Sequence, residues 1–364
     1  MQNAPLIICC ASVFVIGLMI GSFLNVLIAR LPFEKSIIWP GSRCFSCFEP
    51  IGKFDNLPVI GYLLLGGRCR NCHAPFSSRY LWVELGTGVA FLGLFVLEVL
   101  VNPARLPNVQ FQWQSQMWPP TPGLFLFGYH ACLLSLLIAA AVIDAEHRII
   151  PPLIPYTGAL IGIVGGALMP WPWPHPLEAT KSLLPGIPWI LIEQQGKIPL
   201  GVQPWPFWGP VPAFVSPGTW QLGLLNALIG ALAGSLVVRW VKWLFETGFG
   251  KDALGLGDAD LLMMAGAFLG WQIAVLSLFV GAIAALVVFK LPGLVVAAVR
   301  KTAVERELPF GPGLALGVVV TWLGWPWIGP RMQFPLYDLT ALGVIVVVLS
   351  VGMMAAGLLL RRGE

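Results

Sequence analysis

Charged side chains are scarce in this 364-residue sequence: Asp, Glu, Lys and Arg together make up 10% of it, against about 25% in an average soluble domain. With 57% hydrophobic residues and a mean hydropathy of +0.82, that scarcity excludes an ordinary soluble globular protein. The first apolar segment, Leu6 to Ala29, has no basic residue ahead of it and no small-residue cleavage site after it, so it is expected to be a retained span and not a secretory signal. There is no internal repeat, no Gly-rich phosphate cradle and no nucleotide motif, and no nucleic-acid partner is expected. Matched halves with broken helices, a mark of coupled transporters, are missing too.

What is present is a series of apolar runs approaching the ~20 residues that a bilayer needs, at about 6–29, 82–101, 123–143, 152–169, 222–244, 311–328 and 339–360. Residues 260–299 form a further stretch that is too long for one span and suits two, with Gly270-Trp271-Gln272 as the hairpin and Lys290-Leu291-Pro292 as a bend. The expected fold is all-α, a polytopic membrane helix bundle of eight or nine transmembrane helices embedded in the lipid bilayer. Basic loops resist translocation and so orient the set. With the N-terminus outside, sixteen Lys and Arg residues fall in one group of loops and four in the other, with Lys290 unassigned. This places 30–80, 144–151, 245–258, 299–310 and the C-terminus in the cytoplasm. The expected organisation is a first helix over 1–29, a cytoplasmic loop over 30–80, helices over 81–169, an outer loop over 170–220 and helices over 221–364. The outer loop is dense in Trp and Pro and is expected to lie irregularly at the membrane interface.

Two acids stand out against this apolar background. Gly255-Leu256-Gly257-Asp258 runs straight into an apolar segment, and a carboxylate at bilayer depth costs roughly 2.5–3.5 kcal/mol on insertion scales. Asp258 is therefore a candidate site residue, and its two glycines are expected to let the backbone turn and approach a partner. The third span ends at Asp144, which the topology brings to the same cytoplasmic face. Two carboxylates a few ångströms apart cannot easily both ionise, so one keeps its proton while the other serves as a base. Such a pair can activate a water and protonate a peptide carbonyl with no covalent intermediate. That is aspartyl proteolysis. Each acid also has a structural reading: Asp144 can cap a turn or pair with Arg148, and Asp258 can be the N-cap of its helix. Asp252 and Asp260 are the competing carboxylates.

Four of the seven cysteines form Cys44-Phe45-Ser46-Cys47 and Cys69-Arg70-Asn71-Cys72. Two Cys-x-x-Cys knuckles at this separation suit one tetrahedral Zn2+ held by four thiolates. A reducing cytoplasm disfavours two disulfides, and a redox motif has no need of the second pair. The zinc is expected to staple a loop too small for a core of its own, with His73 a bystander. Cys9, Cys10 and Cys132 lie in apolar spans and read as small apolar residues.

Gly21-Ser22-Phe23-Leu24-Asn25 with Arg30-Leu31-Pro32, both knuckles, Ser78-Arg79-Tyr80 to Glu84, Asp144 with Ile150-Pro151, Gly255 to Asp258, and Leu308-Pro309-Phe310-Gly311-Pro312 occur in that order. In that order they resemble the type IV prepilin peptidase family, the GxGD-type aspartic peptidases of bacterial inner membranes. The resemblance implies a multi-pass enzyme that removes the short basic leader of prepilins and pseudopilins at the cytoplasmic face, after a Gly. It also implies N-methylation of the new terminus with S-adenosylmethionine. By motif position, Asp144 and Asp258 are the catalytic pair and Cys44, Cys47, Cys69 and Cys72 the metal ligands. The side-chain chemistry selects the same six residues; the methyl donor rests on resemblance alone. Asp260 stands where the family usually has Lys, which removes a cation and adds a like charge, and Phe45 stands where a Pro is common. Two rival readings are a GxGD protease for other signal peptides, opposed by the cysteine tetrad and the basic loop, and a non-enzymatic transporter or assembly scaffold whose acids carry protons.

Overall fold

A computed structural model describes residues 3–52, 54–104, 106, 109–168, 219–250, 254–292, 310–332, 336 and 339–361. The chain divides into two compact units, one of residues 1–103 and 108–149, the other of residues 104–107 and 150–364. Among the described residues there is no strand, only two isolated bridges, Arg43 with Pro50 and Arg68 with Pro75.

The first unit holds α1 (Ala4–Arg30), the short α2 (Ile60–Leu64), α3 (Arg79–Phe95) and α4 (Thr121–His147). Between apolar helices in lipid there is little hydrophobic drive, so small residues that allow close packing decide where helices meet. A Cβ built on Gly17 would stand 2.8 Å from the Cα of Gly88, and one on Gly21 2.7 Å from the Cα of Glu84. Those glycines therefore fix the register of α1 on α3. Beyond Phe95 the helix widens into a π turn, Val96–Val101, and there Glu98 Oε1 lies 2.6 Å from His130 Nδ1 on α4. The pair joins α4 to the end of α3.

The second unit contains α5 (Leu153–Leu168), α6 (Trp220–Phe249), α7 (Leu256–Leu269), α8 (Trp271–Ala284), α9 (Phe310–Leu323), a single turn α10 (Trp325–Ile328) and α11 (Leu339–Arg361). Gly250, at φ 66°, closes α6 in the left-handed conformation common after helix ends. The backbones of α6 and α7 touch directly: a methyl on Gly230 would overlap the carbonyl oxygen of Gly266, and one on Gly234 that of Leu262. Ala159 of α5, Ala231 of α6 and Ala267 of α7 form the small-residue core beside this contact. Gly230→Leu is expected to destabilise the unit by about 1–3 kcal/mol through overpacking, whereas Gly343→Leu, at a position with open space around it, should leave thermal unfolding in detergent unchanged.

Among the described residues the eight or nine expected helices correspond to nine of 14 residues or more. Six spans are long and apolar enough to cross a membrane, which makes this a multi-pass membrane protein. α5, α7 and α9, at 16, 14 and 14 residues, are shorter. The hairpin expected over Gly270 to Gln272 narrows to Gly270 alone, because at φ 85° and ψ 168° that residue turns the chain by itself in a region open essentially only to glycine. The bend expected over Lys290 to Pro292 falls at the end of the described residues, 293–309 lying outside them. Ahead of it the helix loosens into a π turn over Ala285–Lys290, which accommodates the missing proline amide. The Trp/Pro-rich loop expected over 170–220 lies outside the described residues but for its last two.

Candidate active site and metal centre

The two knuckles fold alike. Cys44 N–H donates to Glu49 O and Phe48 N–H to Cys44 O, each at 3.0 Å; Cys69 N–H donates to Ala74 O at 2.9 Å and His73 N–H to Cys69 O at 3.0 Å. The residue after the second cysteine of each takes a left-handed conformation, Phe48 at φ 60° and His73 at φ 55°. His73 is thus the corner of its knuckle, as Phe48 is of the other. The four ligand sulfurs lie within 4.8 Å of one another, with Cys44 Sγ 3.7 Å from Cys72 Sγ and Cys47 Sγ 3.9 Å from Cys69 Sγ. Metal–sulfur bonds of about 2.3 Å at tetrahedral angles put sulfurs about 3.8 Å apart, whereas a disulfide brings them to about 2.05 Å. The donor set and its spacing fit one tetrahedral metal ion. The backbone amides of Cys47 and Ser46 stabilise the thiolate of Cys44 and lower its pKa to about 6, whereas burial and the neighbouring sulfurs push that of Cys47 up. Between the knuckles, Arg70 Nε donates to Asp55 Oδ2 at 2.8 Å, and this bond holds the Asp55 carboxyl below the usual carboxylate range.

Asp144 lies in the last turn of α4, on the face that carries Leu133, Leu137 and Ala140, and only 8% of it is exposed. That spacing puts all four residues on one side of a 3.6-residue helix. Arg148 at φ 56° ends the helix, its amide donating to Asp144 O at 2.8 Å. Glu146 pairs with Arg79 at the start of α3, and the His147 ring meets Phe33 edge-on at 5.4 Å. The polar run after Asp144 therefore ties the end of α4 to both ends of the cysteine loop.

Asp258 is also 8% exposed. It is not the N-cap of α7: that position belongs to Gly255, and Asp258 stands three residues on, where its Oδ2 accepts the Gly255 amide at 3.1 Å. This is the carboxylate half of a capping box; glycine has no side chain to supply the other half. Nor does Gly255 make a glycine-only turn, since its φ of −74° and ψ of 150° suit any residue. Gly257 matters for proximity, because a Cβ there would come within 3.1 Å of Ile150 Cβ. Asp260 is a weaker candidate. Arg239 of α6 places Nη2 3.4 Å from its Oδ1, so its charge is paired with a cation from another helix. Asp252 lies outside the described residues.

Asn25 and Glu84 appear in the sequence motifs without a role, and the structure makes both conspicuous. Asn25 is 2% and Glu84 7% exposed. Asn25 Nδ2 donates to Tyr80 O at 3.0 Å, and Glu84 Oε2 accepts Val59 N–H at 2.7 Å. Polar residues inside otherwise apolar spans were the signal that marks them, as it was for Glu98.

Comparison with known proteins places these features in context. A model of the bacterial peptidase A24 N-terminal domain matches residues 15–97, and a model of the type IV leader peptidase family matches residues 194–289. The chain is 31% identical over 328 residues to a prepilin leader peptidase/N-methyltransferase of Pectobacterium carotovorum subsp. carotovorum, covering 84% of this chain and 89% of that protein. To the protein of the same name from Klebsiella pneumoniae it is 32% identical, covering 71% and 84%. With the one from Myxococcus xanthus it is 31% identical over 71% of this chain, which spans 56% of that protein's length. No solved structure matches the chain.

Proposed function

The chain belongs to the type IV leader peptidase family, and from that premise we propose that it cleaves the basic leader of prepilins or pseudopilins after a Gly and N-methylates the residue thus exposed. The observation that carries the reading is one of selection: among the described residues, Asp144 and Asp258 are the two buried aspartates, each at a helix end. The proposed mechanism requires their carboxyl groups to meet over one peptide bond and to share one proton. The ionised carboxylate takes a proton from water as the oxygen attacks the Gly carbonyl carbon, and the protonated one gives its proton to the carbonyl oxygen. Collapse of the tetrahedral species breaks the C–N bond, and the leaving amine takes up a proton. By its basic loops, the cleavage site faces the cytoplasm of a bacterial inner-membrane protein.

In this reading Cys44, Cys47, Cys69 and Cys72 hold a structural Zn2+. S-adenosylmethionine, when bound, supplies an electrophilic methyl group, which the free amine of the new terminus accepts with release of S-adenosylhomocysteine and a proton. Purified protein incubated with a prepilin and labelled methyl donor tests the whole reading. Mass spectrometry should find a shortened product carrying one methyl on its terminal nitrogen; an uncut prepilin would refute the proposal. In the same assay Asp260→Asn should retain cleavage within about threefold, because its carboxyl is engaged by Arg239 of α6 and is not one of the proposed pair.

A further inference from the structure

The peptide group that joins Leu254 to Gly255 is held at both of its polar atoms. Lys242 of α6 places Nζ 3.0 Å from Leu254 O and donates to it. The Gly255 N–H donates in turn to Asp258 Oδ2 at 3.1 Å. That carbonyl and that N–H belong to one planar amide, and resonance couples them. An ammonium on the oxygen draws electrons through the amide and makes its N–H the stronger donor, since linked hydrogen bonds polarise one another. The positive charge of Lys242 is thus felt at the Asp258 carboxyl across a single peptide bond.

Three features then favour a negative charge at Asp258. It accepts a backbone N–H, a bond that favours the ionised form of a carboxyl. That donor is strengthened by Lys242, whose side chain is 18% exposed. Asp258 also stands in the first turn of α7, where the helix dipole stabilises an anion, whereas Asp144 stands in the last turn of α4, where the dipole opposes one. The Lys242 ammonium lies 3.2 Å from Glu246 Oε1 as well, one turn along α6, but that side chain is 46% exposed and the pair is screened by water.

We infer that Asp258 is the ionised member of the acid pair and Asp144 the one that holds the shared proton, and that Lys242 is a positioning residue that sets this order through the Leu254–Gly255 peptide. Asp258 then takes a proton from the attacking water while Asp144 gives its own to the carbonyl oxygen. When the C–N bond breaks, Asp258 passes its proton to the leaving amine and Asp144 recovers one from a hydroxyl of the tetrahedral carbon, so both acids end as they began. The inference rests on the aspartic mechanism proposed above and assigns its two roles.

The test is the pH dependence of prepilin cleavage by the full-length protein in detergent. Cleavage needs the ionised base, so kcat falls on the acid side as that carboxylate takes up a proton. Among the described residues, the helices packed on α7 bring few other titrating groups to its profile: Arg239, Lys242 and Glu246 on α6, Tyr156 on α5 and none on α8 or α9, with Asp260 on α7 itself. Lys242→Gln keeps a donor for Leu254 O and loses the charge. It should move the acid limb up by about one pH unit, so that kcat falls about tenfold on the acid side and recovers at higher pH. Lys242→Arg, which restores a cation, should bring the limb back. An unmoved limb in Lys242→Gln, or a loss that is equal at every pH, would overturn the role of Lys242 while leaving the aspartic mechanism standing. Glu246→Gln is a second variant, at a half-exposed position: without the anion that shares the ammonium the limb should move down, and a limb that stays or rises would overturn the assignment. Absence of cleavage by the unaltered chain would overturn both the assignment and the mechanism.

Discussion

Asp144→Asn and Asp258→Asn should each lower prepilin leader cleavage by at least about 10³-fold, within the range that a positioned acid or base contributes, while zinc content and thermal unfolding stay as in the unaltered chain. Asn has the shape of Asp and can still accept the Gly255 amide that Asp258 accepts at 3.1 Å, so the end of α7 should survive the change. What Asn cannot do is exchange a proton with water or with a carbonyl oxygen. The double variant should be no worse than either single one, because residues that act as a unit lose their whole effect with the first removal. Cleavage assayed by gel shift of a purified prepilin checks the result, and appreciable turnover by either variant would end the aspartic mechanism. An additive loss in the double variant would instead mean that the two acids serve separate steps.

The second large effect concerns the metal. Cys72→Ser should lower bound zinc from one equivalent per chain to a small fraction, read by elemental mass spectrometry, and a strong chelator should do the same to the unaltered protein. Four-thiolate sites bind zinc with apparent free energies of about 10–16 kcal/mol in small peptides, so loss of one ligand is severe. The knuckles contribute their sulfurs crosswise, Cys44 lying 3.7 Å from Cys72 and Cys47 3.9 Å from Cys69. Half a site therefore cannot persist on one knuckle.

Much of this was legible in the residues themselves. The Cys-x-x-Cys spacing announced the four-sulfur cluster because two such pairs suit one tetrahedral site, and the apolar runs announced helices because a bilayer leaves few alternatives. Asp144 and Asp258 stood out because acids are expensive in such surroundings. Less visible was everything that depends on two segments meeting. Nothing near Asp260 in the chain foretells Arg239, 21 residues earlier, and no local pattern reveals that Asn25 turns one half of its amide to Tyr80, 55 residues on. Of the two roles expected of Gly255 and Gly257, turning the chain and letting it approach a partner, the first finds no support in the ordinary backbone angles of Gly255 and the second is seen where Ile150 lies against Gly257.

The bare contact of α6 with α7 has a mechanical result. With no side chain as a cushion, the carbonyls of Gly266 and Leu262 seat against Gly230 and Gly234, and neither helix can slide or roll without lifting off the other. The acid-bearing start of α7 is thereby geared to α6, and Arg239 travels with Asp260 as a passenger. In the proposed mechanism the scissile segment is therefore expected to come to Asp258, at the start of a helix seated on α6.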